Sequence, residues 1–260
     1  MRAIALLYHD VVPENRPEAS GFLTPGANRY KLTETQFRRH LEAVSRAGKS
    51  SPRSVLELRE GGVPLLITFD DGGVSAYGPV SEMLSQFGWT GHFLVTTDYI
   101  GKAGFLSVDQ IRALRREGHV IGSHSCSHPA RMSACSPEQL RSEWKRSTTV
   151  LSDILNEPVT VASIPAGYYS DEVARAADEA GIRALFSSEP QTRTWRVGEC
   201  SVLGRYCAVA DTPPEWAARI VRGDLATRGL AYAGWNAKKL IKKTTAGLWL
   251  RFRATVLEGQ

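Results

Sequence analysis

Two histidines four residues apart, His124 and His128, and two adjacent aspartates, Asp70 and Asp71, are the residues whose types and spacing could do chemistry in this chain. Two imidazoles at i and i+4, leaving a strand, can face one point on a helical turn. A carboxylate from another strand end would complete a three-ligand site with coordination left open for water, the arrangement of catalytic zinc. Adjacent carboxylates need separate roles, because neighbouring side chains of an extended segment point to opposite sides. One of Asp70 and Asp71 can ligate while the other works on the water. Alone, each motif is weak: D-D-G is most often a turn, and H-x-x-x-H is more often a solvated or core pair. Their joint placement at strand ends gives them weight.

That placement follows from the elements around them. Short strand-like runs fall at 3–8, 63–69, 90–96, 119–123, 159–163, 183–187 and 202–206, separated by helical patterns with legible ends. Ser107 opens a capping box with Gln110, and Gly118 closes that helix; Ser136, Pro137 and Gln139 start a longer one. Ser170 and Gly181 bracket another, and Pro213 and Pro214 open a last body helix. Seven runs with crossover helices predict one closed or nearly closed parallel β/α barrel over residues 1–225, with an open doubly wound sheet as the alternative, since hydrophobic period does not report closure. In either architecture catalytic groups collect at the carboxyl ends of the strands. There the sequence has His9 and Asp10, then Asp70 and Asp71, then His124 to His128, then the stretch Ile164, Pro165, Ala166, Gly167, Tyr168.

Read together, these motifs resemble the polysaccharide deacetylases of carbohydrate esterase family 4, the NodB homology domain. Thr68-Phe69-Asp70-Asp71-Gly72 is similar to the family's T-F-D-D-G, and His124 to His128 to its H-S/T-x-x-H. The resemblance spans roughly residues 3–210. It implies a deformed (β/α)7 barrel, a divalent ion, most readily Zn2+, on Asp71, His124 and His128, Asp70 as general base, and removal of N-acetyl groups from aminosugars of a polysaccharide or glycolipid in surface polysaccharide biosynthesis. It also places the Ala166 backbone N–H opposite the metal as oxyanion donor, with Pro165 fixing that loop. Tyr168 and Tyr169 could stack on a sugar face, with core packing as the competing role.

Two departures stand out. Ser163 sits where the family has the Arg that pairs with the catalytic Asp, and Arg205 is one cation that could substitute. No L-x-H follows residue 200 to supply the general acid. However, Leu7-Tyr8-His9 is an L-x-H at the first strand end, similar to a circularly permuted branch resembling the biofilm poly-N-acetylglucosamine deacetylases, so His9 is the expected acid, with Asp10 either orienting it or capping a turn. The missing Arg leaves open a catalytically silent carbohydrate-binding barrel, and a deformylase-like amide hydrolase is a further alternative. His40, His92 and His119 are expected to be structural, the last two because they begin strands, and Cys126 to stay off the metal.

Charge narrows the partners. Residues 228–260 hold seven basic residues and one acid, a local balance of +6, which leaves 1–227 at −1. The body therefore has no electrostatic case for nucleic acid. The stretch 226–260 is a basic amphipathic tail, KKLIKKTTAGLWLRFR at its centre, that could lie on an anionic membrane or pack on the barrel with its lysines in solvent. Four cysteines without a C-x-x-C pair imply reduced thiols. The first apolar run breaks too early at Tyr8, His9 and Asp10 for a secretory leader, and the expected location is cytoplasmic, at the inner membrane face if the tail binds lipid.

Overall fold

The structure is a computed structural model and describes residues 1–48, 51–58 and 62–244. Its frame is a ring of parallel strands in chain order: β1 (Ile4–Tyr8), β4 (Leu65–Phe69), β5 (Gly91–Val95), β6 (Val120–Ser123), β7 (Val161–Ser163), β8 (Ala184–Phe186) and β10 (Cys200–Leu203). Each pairs in parallel with the next, with no reversal of order, which excludes the doubly wound alternative. The seventh position closes the ring in two halves. β10 pairs with β8 through Leu203↔Phe186; the chain then passes Gly204 and Arg205 and continues as β11 (Tyr206–Cys207), which pairs with β1 through Leu6↔Tyr206. This split closing strand makes the barrel a deformed (β/α)7 barrel. β9 (Trp195–Val197) runs antiparallel on the outside of β10, and β2 (Val11–Val12) pairs with β3 (Leu32–Thr33) above the first strand.

The helices form where their caps and apolar stripes dictate. After a single turn, α1 (Pro25–Asn28), come α2 (Glu34–Arg46), α3 (Pro79–Gln86), α4 (Val108–Arg116), α5 (Pro137–Leu155), α6 (Asp171–Glu179), α7 (Pro214–Arg222) and α8 (Leu225–Thr244). Ser107 and Ser136 each make the reciprocal capping box with Gln110 and Gln139. α5 buries Leu140, Trp144 and Leu151 against the sheet and α6. Most of the tail stretch, residues 245–260 with Leu248, Trp249, Leu250 and Phe252, lies outside the described residues, as do the side chains of 240–244.

Strand alternation carries the interior to the site. Ala5, Leu66, Val120, Val161 and Leu203 pack in one cluster inside the ring with Leu94 and Phe186. Side chains repeat their face every second residue, so His9, Asp70, His124, Ser163 and Arg205, each two or four positions beyond a member of that cluster, project into the same mouth.

His40, His92 and His119 are held by the scaffold. The His92 ring is buried, its Nδ1–H donates to Ile67 O at 2.8 Å and its Nε2 accepts the Val55 N–H at 2.8 Å. His119 Nδ1 accepts the Gly91 N–H, and His40 bonds Tyr8 and Thr212. Burial depresses His92 to a pKa of about 4, so it is neutral in the fold. A folded pKa below the unfolded value of about 6.5 gives stability that is complete above 6.5 and lost as pH falls towards 4. We expect His92→Gln, which cannot titrate, to be destabilised at pH 7.5 by an amount that shrinks by about 2–3 kcal/mol as pH falls from 6.5 to 4. Urea titrations across that range check this; parallel stability curves for the two proteins would refute it.

Candidate metal centre and active site

Asp71, His124 and His128 come together as a cluster whose ligand atoms all lie within 4.8 Å of one another. The Asp71 Oδ1 stands 3.4 Å from Nε2 of both imidazoles, and the two rings are 5.1 Å apart. The motif is not a helical turn, as the i, i+4 spacing predicts. It is a loop in which Ser125 (φ 65°) and His128 (φ 60°) are both left-handed. Asp71 (φ 76°) shares that conformation, so three of the six non-glycine residues with positive φ among those described belong to this site, and Ala166 (φ 55°) is a fourth such residue, in the turn after β7. Such backbone costs of order 1–3 kcal/mol per residue and persists only where its surroundings over-determine it.

The surroundings are visible. Ser125 Oγ accepts the His128 N–H at 3.1 Å. From α5, Glu143 reaches the loop between the two histidines: one carboxylate oxygen accepts the N–H groups of Cys126 and Ser127 at 2.9 and 2.8 Å, and the other accepts the Ser127 hydroxyl at 2.6 Å. Cys126 Sγ donates to Asp98, not to the cluster, and burial pushes its thiol up to about 11.

Asp70 is neutralised by Arg205. The guanidinium, 0% exposed, donates in a fork to both carboxylate oxygens at 2.7 Å, while its Nε donates to Ser187 O and its remaining reach is to Thr68 Oγ1. The partner missing at Ser163 is therefore supplied from the closing strand. Ser163 has its own task. Its hydroxyl donates to Asp70 Oδ1 at 2.9 Å and, having spent its proton, accepts from His124 Nδ1–H at 2.6 Å. That chain fixes the imidazole tautomer with the Nε2 lone pair turned to Asp71 and His128, the orientation a metal ligand needs. Burial pushes the Asp70 carboxyl up, but Arg205 and His124 pull it further down, so it is held below the usual range. Asp71 ends well below that range because hydrogen bonds from His124 and His128 outweigh its burial. Burial disfavours charge on His124, yet Asp70 and Asp71 raise its proton affinity overall. A pocket that draws a proton this way also fits a divalent cation on the same three donors, and the residues present match one.

His9 stands in the same mouth. Burial lowers its pKa, against the pull of Asp71 and Asp70, and its Nδ1 is buried without a partner among the described residues. Tyr30 packs on it at 4.7 Å between ring centroids, and Phe22 packs on His128 at 5.1 Å. Asp10 does not orient His9: its Oδ1 accepts from Ser20 Oγ at 2.5 Å and Ser75 Oγ at 3.0 Å, tying down the segment that carries Phe22. Gly73 and Gly21 make room for it, since a Cβ at either would sit 1.9 Å from its carboxylate. Lys31, a second cation unnoticed in the sequence, donates to the carbonyls of Pro17, Ser20 and Phe22, each at 2.7 Å.

Pro165 is buried, Ala166 exposed, and Tyr168 half-buried with the Arg131 guanidinium 5.5 Å above its ring. Tyr169 is engaged by Asp171 and Trp195, a packing role. Glu143 and Lys31 carried no local signal, because each acts on residues that only folding brings to it.

Residues 59–185, just under half of the chain, match the family model described as polysaccharide deacetylase, and the likeness to that family is carried by this stretch. Among curated relatives, it is 29% identical over 133 residues to a peptidoglycan-N-acetylglucosamine deacetylase of Bacillus cereus, covering 50% of this chain and 60% of that one. It is 32% identical over 117 residues to a chitin deacetylase of Arthroderma benhamiae, covering 44% and 31%. The chain spans about half the length of several curated relatives it matches. Two solved structures share the fold: IcaB from Ammonifex degensii (TM-score 0.69, 20% identity, 85% of this chain and 97% of that one) and the Streptococcus pyogenes deacetylase PplD in complex with acetate (TM-score 0.65, 20% identity, 83% and 96%).

Outer support of metal ligands is worth about 10–100-fold in metal affinity. Glu143→Gln should therefore weaken Zn2+ binding by about that factor in a chelator competition, while the metal-free variant keeps its far-ultraviolet dichroism. Unchanged zinc affinity would show that Glu143 serves the loop without serving the ligands.

Proposed function

We propose that the chain is a metal-dependent hydrolase that removes N-acetyl groups from aminosugars of a polysaccharide or glycolipid. The observation that supports this most directly is the Asp71, His124, His128 cluster beside a separate carboxylate, Asp70, kept ionised by Arg205. A divalent ion, Zn2+ by the donor set, would be held by Asp71, His124 and His128, polarising the amide carbonyl and acidifying a water. Asp70 accepts the proton of the attacking water as the new C–O bond forms. Arg205 and Ser163 hold that carboxylate fixed, and Ser163 keeps His124 in the required tautomer. The Ala166 N–H, on a turn fixed by Pro165, donates to the carbonyl oxygen as charge develops there. His9 gives its proton to the leaving nitrogen, so that the C–N bond breaks to acetate and a free amine. Tyr30 and Phe22 wall the entrance, and Tyr168 offers a ring to a sugar face. The silent-barrel alternative follows from the missing Arg at the Ser163 position, and the Arg205 fork on Asp70 weighs against it.

Acetate release from N-acetylated oligosaccharides tests the reading. Asp70→Asn should lower it by a factor of about 10²–10⁴ while bound zinc per chain is retained. Release of formate alone from a panel of acylated amines would move the assignment to the deformylase-like alternative. No release with any acyl group would overturn it.

The pH profile offers a second check. Without Arg205, burial is left to push the Asp70 carboxyl up, so a larger fraction is protonated at acid pH. Arg205→Gln should shift the acid limb of kcat/KM to higher pH, and Arg205→Lys, which keeps the charge without the fork, should shift it less. An unmoved limb in both would separate Arg205 from the base. Removing one partner of a buried pair costs about 3–5 kcal/mol, so both variants are assayed below their melting transitions.

A further inference from the structure

Of the three imidazoles in the mouth, only His124 is oriented by a hydrogen bond from behind, to the Ser163 hydroxyl. His9 Nδ1 is buried without a partner, and among the described residues the one polar partner of the His128 ring is Asp71, through Nε2. Each of these two rings is backed by an aromatic side chain instead, Tyr30 on His9 and Phe22 on His128. Both aromatics come from one strap, residues 13–31, which joins β2 to β3. A loop of that length stays ordered in a compact domain only where something pins it. Lys31 is the pin. Its ammonium is 4% exposed and directs all three of its N–H groups to three carbonyls, those of Pro17, Ser20 and Phe22, each at 2.7 Å. Three carbonyl dipoles converging on one point repel one another, so the cation holds the turn closed. Ser20 is gripped from its other side as well, where its hydroxyl donates to Asp10 and accepts the Ser75 N–H at 2.9 Å. Phe22 follows from its pinned carbonyl into a seat between Tyr99 and Phe105, and Tyr30 is the residue next to Lys31 itself.

We infer that Lys31 is a positioning residue of this site: by closing the strap on its ammonium it sets Phe22 and Tyr30 against the two imidazoles, His128 and His9, that no hydrogen bond orients from behind. With every N–H engaged by backbone, Lys31 has no donor left for a substrate, and its effect on the chemistry passes through the two rings. An ammonium is costly to bury unless fully paired, and here that cost is met in a loop outside the barrel core, at the point from which both aromatics are hung. For His128 the packing of Phe22 stands in for the outer hydrogen bond that a metal-ligating imidazole usually makes. For His9 the Tyr30 ring sets the direction in which a proton can be delivered. The His9 half rests on the deacetylase reading; the His128 half requires only that the cluster binds a metal.

Imidazole C–H resonances of the metal-free full chain test the positioning without catalysis, because an aromatic ring stacked on a histidine shifts them. Phe22→Leu and Tyr30→Leu mark the shifts that each ring causes, on His128 and His9 respectively. Lys31→Met, which keeps the length of the side chain and removes all three N–H groups, should move both sets of resonances to those same positions. Phe22→Leu should weaken Zn2+ binding about tenfold in a chelator competition, and Lys31→Met should weaken it equally, with the double variant no more than about twofold worse than either. Tyr30→Leu should lower kcat for acetate release at saturating zinc at least roughly tenfold while zinc affinity stays within about twofold. The two leucine variants keep the test open even where Lys31→Met does not fold, since neither strands a buried carbonyl. Histidine resonances left in place in folded Lys31→Met would overturn the proposal. So would zinc losses that multiply in the double variant, or leucine variants that change neither zinc affinity nor kcat. A chain that shows the resonance shifts and the zinc coupling but releases no acetate even unmutated would keep the positioning and lose the deacetylase reading.

Discussion

Two adjacent carboxylates, Asp70 and Asp71, sit 4% and 8% exposed in the mouth of a closed barrel, and most of the site's architecture answers the charge problem they create. Taking an ionised carboxylate out of water is tolerable only when it is paired and hydrogen-bonded. Arg205 answers for Asp70 with a fork that leaves no ambiguity about which carboxylate it serves. Asp71 has two imidazoles and no permanent cation. The proposed division of labour rests on that asymmetry: Asp70, balanced by the protein, would handle protons, and Asp71 would be left for a metal to complete.

Closure of the barrel makes the first half of that division possible. Arg205 lies in the two-residue gap between the half of the closing segment that pairs with β8 and the half that pairs with β1. From there the Arg205 side chain reaches across the mouth to Asp70, 135 positions earlier in the chain. Placing the cation on this strand frees the Ser163 position for a short hydroxyl, which links His124 to Asp70 and couples the tautomer of the imidazole to the position of the carboxylate. Strain is the counterpart of this order. Asp71, Ser125, His128 and Ala166 hold left-handed backbone, and the carboxylate of Glu143 and the hydroxyl of Ser125 keep the histidine loop in place.

Much of the fold was legible because its signals are local. Capping boxes at Ser107 and Ser136 placed the starts of α4 and α5, and the apolar runs placed the first six strands of the ring, within a residue or two of where they lie. The Leu7-Tyr8-His9, Asp70-Asp71 and His124–His128 motifs named residues that the structure gathers in one mouth. The histidine loop was misread as a helical turn, because spacing reports periodicity and not a positive φ imposed by a glutamate on α5. Asp10 was open between two roles, and its bonds to Ser20 and Ser75 decide for the loop anchor. β9 and the split of the last strand were hidden, since short strands leave little periodicity to read.

By itself, the amino-acid sequence determined which groups can ligate, accept or donate protons and, through the two-residue period of strands, that they would share one edge of the sheet. It also determined that positive charge is concentrated at one end of the chain. Tertiary structure alone decided which cation faces Asp70, which nitrogen of His124 is free, and what clamps the loop between the histidines. Each of those depends on atoms brought within about 3 Å across dozens of residues, and the energy of such a contact is set by distance and burial, neither of which is written in the order of the residues.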